Sequence, residues 1–271
     1  MASIVANVDA PSAHPCGPAP GLVSRRRILQ FAGSAGLAVA VGACSKSQAE
    51  PVAQPGPQPP VSGAAELTTP LGEPSGTAAV LLCRDAWGAR PARPGGRPHT
   101  ITRMTLHHTG VVLGDNRNAP GRLRQHQRYH QDQHGWIDIA YHVGVDRNGN
   151  IFELRSPELV GDTATEYDPT GHFLVLCEGD FDREIVTDAQ LHGAAAAFAW
   201  AVQTFHISPE TLAGHRDFAA TSCPGAGLDA EVASGRLRQR IDDLLADGVV
   251  DLQRLCGPGA DAAVAAIEEG R

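Results

Sequence analysis

The chain has 271 residues, of which 42% are hydrophobic and 19% charged, so it is not too polar to form a packed core. Its formal net charge is −8 at pH 7, and Lys46 is the only lysine beside many arginines. This acidic balance argues against a nucleic-acid partner, because binding to a phosphate backbone needs a dense basic face.

The first 43 residues have the layout of an export signal. Arg25, Arg26 and Arg27 precede an uncharged apolar run over residues 31–43, which is typical of a twin-arginine signal peptide and too short to span a membrane. The run ends in Val-Gly-Ala-Cys44, which resembles the lipobox of lipoproteins. We therefore expect residues 1–43 to be cleaved and Cys44 to carry a lipid that anchors the exported protein in a membrane of the cell envelope. A soluble periplasmic or secreted protein is the alternative.

Composition divides the remainder of the chain. Residues 44–77 are rich in Pro, Ala, Gly, Gln and Ser and lack periodic apolar spacing, which predicts a disordered tether. We expect one folded domain over residues 78–256, followed by a C-terminal tail over residues 257–271.

The first half of this domain predicts strands around one helix. Alternating apolar positions indicate a strand over residues 101–108, and Pro120-Gly121 opens a largely polar surface helix that extends to about residue 134. Apolar runs at 139–145 and 151–154 flank an Asn-Gly pair. This pair predicts a β-hairpin, because both residues tolerate positive φ.

The second half predicts one more strand and two helices. The strand covers residues 173–177, and a capping box at residues 187–190 begins an alanine-rich helix that ends near residue 205. A second helix is expected over residues 229–247. Since strands and helices interleave, we predict a mixed α/β fold with a central mixed β-sheet flanked by helices.

Two histidines and one cysteine have the chemistry of a zinc site. A histidine at 107 or 108, His215 and Cys223 would fill three corners of a tetrahedron and leave the fourth for water, as in hydrolytic zinc sites. Neighbouring strand residues point to opposite faces, so spacing alone does not choose between His107 and His108. A structural zinc, closed by His108 or His142 as a fourth ligand, is the alternative.

Three cysteines remain once those of the signal, the anchor and the candidate metal site are set aside: Cys83, Cys177 and Cys256. In an oxidising compartment we expect a bridge between Cys83 and Cys256, at the two ends of the domain. Cys177 lies in an apolar run and would be a buried thiol. The sequence does not establish this connectivity.

Several motifs, in order, resemble the peptidoglycan recognition protein and type 2 N-acetylmuramoyl-L-alanine amidase superfamily, to which the amidase-type phage lysozymes also belong. They are Trp87-Gly88-Ala89-Arg90, residues 104–110, 127–130, 136–142 and 146–153, and residues 214–225. The resemblance implies the family's fold and a catalytic zinc ion.

The resemblance also implies a role for single residues. It selects His107 as the first zinc ligand, beside His215 and Cys223. Tyr141 matches a tyrosine that the family places beside the zinc-bound water, where a phenol can hydrogen-bond that water or transfer a proton. Thr221 matches a position whose side chain donates to the developing oxyanion.

The implied reaction is zinc-dependent hydrolysis of the amide between the lactyl group of N-acetylmuramic acid and L-alanine in peptidoglycan or muropeptides. It requires no nucleotide, flavin or second metal. A non-catalytic peptidoglycan-binding module is the alternative, although such members typically lack the cysteine ligand. The loop over residues 161–172 does not align readily with relatives, so the preferred stem peptide stays open.

Overall fold

A seven-stranded mixed sheet organises the structure, a computed structural model that describes residues 76–271. The predicted signal peptide, the Cys44 anchor and nearly all of the predicted tether lie outside these described residues. No helix within residues 76–271 combines the length and the apolar character needed to cross a membrane.

The strand order shows why the sheet is mixed. The order is β6-β2-β5-β3-β4-β1-β7, in which only the β3–β4 pair is antiparallel. The strands are β1 (Gly76–Leu82), β2 (Arg103–His108), β3 (Val143–Val145), β4 (Ile151–Glu153), β5 (His172–Cys177), β6 (Leu212–Gly214) and β7 (Val249–Leu255).

Helices cover both faces of the sheet. They are α1 (Ala119–Gln133), α2 (Asp188–Phe205), α3 (Ala226–Ala233), α4 (Arg236–Ala246) and α5 (Pro258–Glu268). One hydrophobic cluster joins the sheet to α2, α3 and α4, and a smaller cluster joins the other face to α1 and α5. The predicted α/β architecture is therefore confirmed.

Strand β2 shows how the sheet orients the two adjacent histidines. In the parallel pairing of β2 with β5, His107 lies beside Leu176 and His108 lies beside Cys177. Leu176 packs in the cluster on the α1 face, whereas Cys177 packs in the cluster on the α2 face. Because side chains alternate along a strand, His107 lies on the α1 face and His108 on the opposite one.

The two best-marked helices agree with their sequence signals. Helix α1 begins with Pro120 in its first turn. Helix α2 is capped by Thr187, whose side chain accepts a hydrogen bond from the backbone N–H of Gln190 at 3.1 Å. A proline in the first turn of α1 and a side-chain cap on α2 were therefore enough to predict where these helices start.

The predicted hairpin forms with a different turn. Of its Asn-Gly pair only Gly149 has positive φ, at 83°. The turn is instead held by the Asp146 carboxylate, which accepts hydrogen bonds from the backbone N–H groups of Asn148 and Asn150, both at 2.9 Å. An aspartate side chain that captures nearby N–H groups replaces the two-residue turn.

The C-terminal part departs from two expectations. The single helix predicted over residues 229–247 is divided into α3 and α4 at Gly235, whose φ of 75° is left-handed. The predicted tail forms α5, in which Ala260, Val264 and Ile267 are buried. The segment does carry a helical signal, because Pro258 lies in its first turn and the three buried residues are spaced by four and three positions.

A disulfide joins the two ends of the described domain. Cys83 follows β1 and Cys256 follows β7, a parallel neighbour of β1, and the two residues are bonded as expected. Cys177 is a buried free thiol, also as expected. The bridge ties the β7–α5 segment to the start of the domain.

Replacing Cys83 and Cys256 together by serine should lower the free energy of unfolding by about 2–5 kcal/mol, because the bridge constrains a long segment of the unfolded chain. The two cysteines are 173 residues apart in sequence. Urea denaturation with and without reductant measures the effect. Reductant should destabilise the wild type and leave the double variant unchanged; equal stability of both proteins would contradict the prediction.

A buried carboxyl group lies directly after β5. Glu178 is fully buried, and neither of its side-chain oxygens has a hydrogen-bond partner among residues 76–271. Burial raises its pKa from 4.5 to about 8, although the positive charge of Arg122 acts in the opposite direction. Between these two pH values the Glu178 carboxyl group therefore keeps its proton in the folded protein and loses it in the unfolded chain.

The contribution of Glu178 to the free energy of unfolding is therefore most favourable below about pH 4.5, and it decreases as the pH rises towards 8. A Glu178→Gln variant should match the wild type at pH 5 and exceed its free energy of unfolding by about 1–4 kcal/mol at pH 8. Urea denaturation at both pH values is the measurement. Glu210→Gln, at an exposed site, is the control. If Glu178→Gln changed the free energy of unfolding by the same amount at pH 5 and at pH 8, the assignment would be disproved.

Candidate metal centre

Parallel strands bring two of the predicted ligands together. In the pairing of β2 with β6, Leu106 lies opposite Gly214. His107 and His215 directly follow this pair, so both are at the carboxyl end of their strands, on the same edge of the sheet. Cys223 reaches the same point from the loop that precedes α3.

The three side chains form a compact group. The ligand atoms of His107, His215 and Cys223 all lie within 4.8 Å of one another, and the Cys223 Sγ is 3.6 Å from the His107 Nδ1. A tetrahedral zinc with a Zn–S bond of about 2.3 Å and a Zn–N bond of about 2.0 Å separates these two ligand atoms by about 3.5 Å. The spacing therefore fits a zinc ion without rearrangement of this pair.

The environment keeps both imidazoles neutral. His107 is 2% exposed and His215 is 7% exposed. Burial lowers the pKa of His107 well below its usual value, and burial followed by the charge of His108 lowers the pKa of His215 to about 4. Neutral rings offer a lone pair to a metal ion. The buried Nε2 of His107 also has no hydrogen-bond partner among the described residues, so the fold leaves part of this ring's bonding capacity unused.

The two histidines considered as a fourth ligand are engaged elsewhere. His142 uses both ring nitrogens on the backbone: Nδ1 accepts from the N–H of Leu174 at 3.0 Å, and Nε2 lies 3.0 Å from the carbonyl oxygen of Leu159. His108 lies on the opposite face, where its Nδ1 accepts from the N–H of Phe181 at 3.4 Å. Within residues 76–271 only His107, His215 and Cys223 group as ligands, which leaves a tetrahedral position for water or substrate.

Short hydrogen bonds hold the loop that carries Cys223. The Arg216 guanidinium donates to the carbonyl oxygen of Ser222 and to the Asp229 carboxylate, the latter at 3.1 Å. The backbone N–H of Cys223 donates to the Thr221 hydroxyl at 3.2 Å, and the backbone N–H of His108 lies 3.4 Å from Sγ. The sulfur is thus positioned by the protein itself.

Tyr141 borders the same group. Its half-buried ring lies 5.0 Å from the ring of His107, measured between centroids, and 6.0 Å from that of His130 on α1. The structure therefore places Tyr141 beside His107, while the Thr221 hydroxyl accepts from the backbone N–H of Cys223. Their roles in a reaction stay predictions.

Sequence reasoning missed a contribution from the loop over residues 161–170. Thr165 Oγ1 lies 2.8 Å from the Nε2 of His215, and the Tyr167 ring lies 5.1 Å from the His215 ring. The only sequence signal was that this segment aligned poorly with relatives. Irregular loops have no apolar period, so nothing in the sequence showed which of their side chains turn inwards.

Comparisons with known proteins agree with this geometry. The N-acetylmuramoyl-L-alanine amidase family model matches residues 97–226. Peptidoglycan-recognition protein LB of Drosophila melanogaster is 33% identical over 164 residues, which cover 58% of this chain and 68% of that protein. Human N-acetylmuramoyl-L-alanine amidase is 34% identical over 166 residues, which cover 56% of this chain but only 28% of the human protein.

Solved structures give the same fold. A Drosophila PGRP-LB variant in complex with tracheal cytotoxin superposes with a TM-score of 0.51 at 28% identity, over 57% of this chain and 93% of that one. Together with the matched motifs and the seven-stranded sheet, these relatives decide the family. The chain belongs to the peptidoglycan recognition protein and type 2 N-acetylmuramoyl-L-alanine amidase superfamily.

Proposed function

We propose that this protein is a zinc-dependent N-acetylmuramoyl-L-alanine amidase, which hydrolyses the amide between the lactyl group of N-acetylmuramic acid and L-alanine in peptidoglycan. The observation that carries the proposal is the complete set of His107, His215 and Cys223, with ligand atoms within 4.8 Å of one another. The amidase names of mammalian relatives and the cytotoxin bound to a related structure support the reaction and the substrate class.

The ligand set suits this chemistry. A zinc ion held by these three residues would supply a Lewis acid that polarises the scissile carbonyl and lowers the pKa of water. His107 and His215 are kept neutral by burial, so they can act as ligands without first losing a proton. Cys223 contributes one negative charge, which leaves the centre net positive and therefore electrophilic.

Two neighbouring hydroxyl groups complete the mechanism. The phenol of Tyr141, beside the His107 ring, orients the attacking water and passes a proton towards the leaving amine. The Thr221 oxygen already accepts from the Cys223 N–H, so its own O–H remains available to donate to the developing oxyanion. A neutral hydroxyl stabilises that charge less than an ammonium group, which leaves the metal as the main electrophile.

We further propose that the protein works outside the cytoplasm, anchored in a membrane by a lipid on Cys44. The proposal rests on the sequence pattern of residues 1–44. Mass spectrometry of the native N-terminus tests it: a lipid-modified Cys44 supports the anchor. An unmodified N-terminus at another position would rule out the lipid anchor, and only the proposal of export would remain.

The first functional prediction concerns the metal. Purified protein should release a peptide that begins with L-alanine from muropeptides, and a zinc chelator should abolish this release. His107→Ala should lose both zinc and hydrolysis because one of three ligands is removed. His192→Ala, at an exposed position on α2, is the matched control.

Mass spectrometry of the released peptide and metal analysis of the protein measure both effects. If folded, zinc-loaded protein bound muropeptides of several stem-peptide types and cleaved none, the chain would be a peptidoglycan-binding module instead of an amidase.

The second functional prediction separates chemistry from metal binding. Tyr141→Phe should retain zinc and lower kcat about 10²- to 10⁴-fold, because it removes only the hydroxyl group. Tyr129→Phe, at a site 45% exposed on α1, removes the same atom away from the site and should be silent. Steady-state kinetics on a soluble muropeptide give kcat, and wild-type turnover in Tyr141→Phe would contradict the assigned role.

A further inference from the structure

A hydroxyl relay connects the loop over residues 161–170 to one of the candidate ligands. Thr165 Oγ1 lies 2.8 Å from the Nε2 of His215 and 2.7 Å from Thr163 Oγ1. The Thr163 oxygen also accepts from the backbone N–H of Thr165 at 3.1 Å. Two arrangements satisfy these contacts, because either threonine can donate to the other and His215 Nε2 can donate or accept. Since Thr165 occupies Nε2, a metal ion would bind Nδ1, and this requires the arrangement in which His215 Nε2–H donates to Thr165 and the Thr165 hydroxyl donates to Thr163.

This arrangement selects the tautomer of His215. A neutral ring with its proton on Nε2 has its lone pair on Nδ1, which is then the atom available to a metal ion. Metal-ligating histidines commonly donate their second N–H to a fixed acceptor, which sets both the tautomer and the ring orientation. Thr165 is in the position to supply that acceptor.

Tyr167, two residues further on, also packs against His215. Its ring is 5.1 Å from the His215 ring and stacks on Phe218 at 5.9 Å. The loop therefore contacts His215 through two of its side chains.

The base of the loop is fixed to the sheet. The buried guanidinium of Arg155 donates to the carbonyl oxygens of Ile139 at 2.8 Å and Val160 at 2.6 Å. Gly161 is buried between Leu174 and Ala140, and a Cβ there would lie 2.2 Å from a Leu174 methyl carbon. The segment that follows therefore leaves the sheet from a defined position.

From these contacts we propose that the loop over residues 161–170 supports the metal centre through Thr165, whose hydroxyl oxygen accepts a hydrogen bond from the Nε2–H of His215 and thereby orients this ligand. Thr165 is a positioning residue. The inference rests on the proposed zinc site and assigns it a side chain that the family motifs of this chain do not include.

Zinc affinity tests the Thr165 assignment. Thr165→Val removes the hydroxyl at nearly constant volume and should weaken zinc binding about 10- to 100-fold, the usual effect of losing such a partner. Thr165→Ser keeps the hydroxyl and should bind as the wild type does. Thr170→Val is the matched control, because it removes an exposed threonine hydroxyl of the same loop that donates to Asp168.

Titration of the metal-free full chain against a chromophoric chelator gives the affinities. Equal zinc affinity of Thr165→Val and the wild type would overturn the role of Thr165. Circular dichroism confirms that each variant is folded.

The proposed function and the role of Thr165 can be overturned separately. A wild-type chain that bound no zinc would overturn both. A wild type that binds zinc and hydrolyses muropeptides, while its Thr165→Val variant retains wild-type zinc affinity, would overturn only the role of Thr165.

Discussion

The parallel pairing of β2 with β6 is the constraint on which the candidate site depends. It sets Leu106 opposite Gly214, so that His107 and His215 emerge side by side at one edge of the sheet. A slip of β2 by one residue would move His107 to the α2 face and present His108 in its place. The register is protected because β2 lies between β5 and β6 and its residues from Met104 to His108 are buried, so that a slip would exchange the side chains that pack on the two faces.

The candidate site places polar side chains in buried surroundings. Burial explains both the neutral imidazole rings and the cost of leaving polar atoms without partners. His107 and His215 are almost completely buried, which removes their charge. Polar groups nearby are mostly paired, yet the Nε2 of His107 and the hydroxyl of Tyr167 have no hydrogen-bond partner within residues 76–271. Buried polar atoms without partners cost stability, so native structures keep them mainly where function requires them. These two atoms lie around the three candidate ligands, whereas the other unpaired buried side-chain atoms of residues 76–271 belong to His126, Glu178, Gln190 and Arg216.

The family match ends at residue 226, and the residues beyond it add to both faces and to one edge of the sheet. Helices α3 and α4 pack with α2 on one face, α5 packs beside α1 on the other, and β7 lengthens the sheet. The Cys83–Cys256 bridge and the ion pair between Arg124 and Glu268, at 2.6 Å, hold the β7–α5 segment. Strand β6, which directly precedes His215, forms the sheet edge opposite β7, so the added strand and the candidate ligands lie at opposite edges.

Sequence alone determined the elements and residues whose signals are local. A proline in the first turn and a threonine cap marked α1 and α2, and short motifs around His107, His215 and Cys223 indicated a zinc site in a mixed α/β domain. Only the tertiary structure decided which strands pair, how the chain turns at Asp146, where Gly235 divides a helix, and that Thr165 and Tyr167 reach His215. The Asp146 turn and the break at Gly235 are local, but there a side-chain hydrogen bond and a left-handed glycine replaced the simpler turn and helix that the pattern predicted. The strand pairing and the contacts of Thr165 and Tyr167 with His215 depend on segments distant in sequence, and such contacts leave no periodic or local pattern to be read in advance.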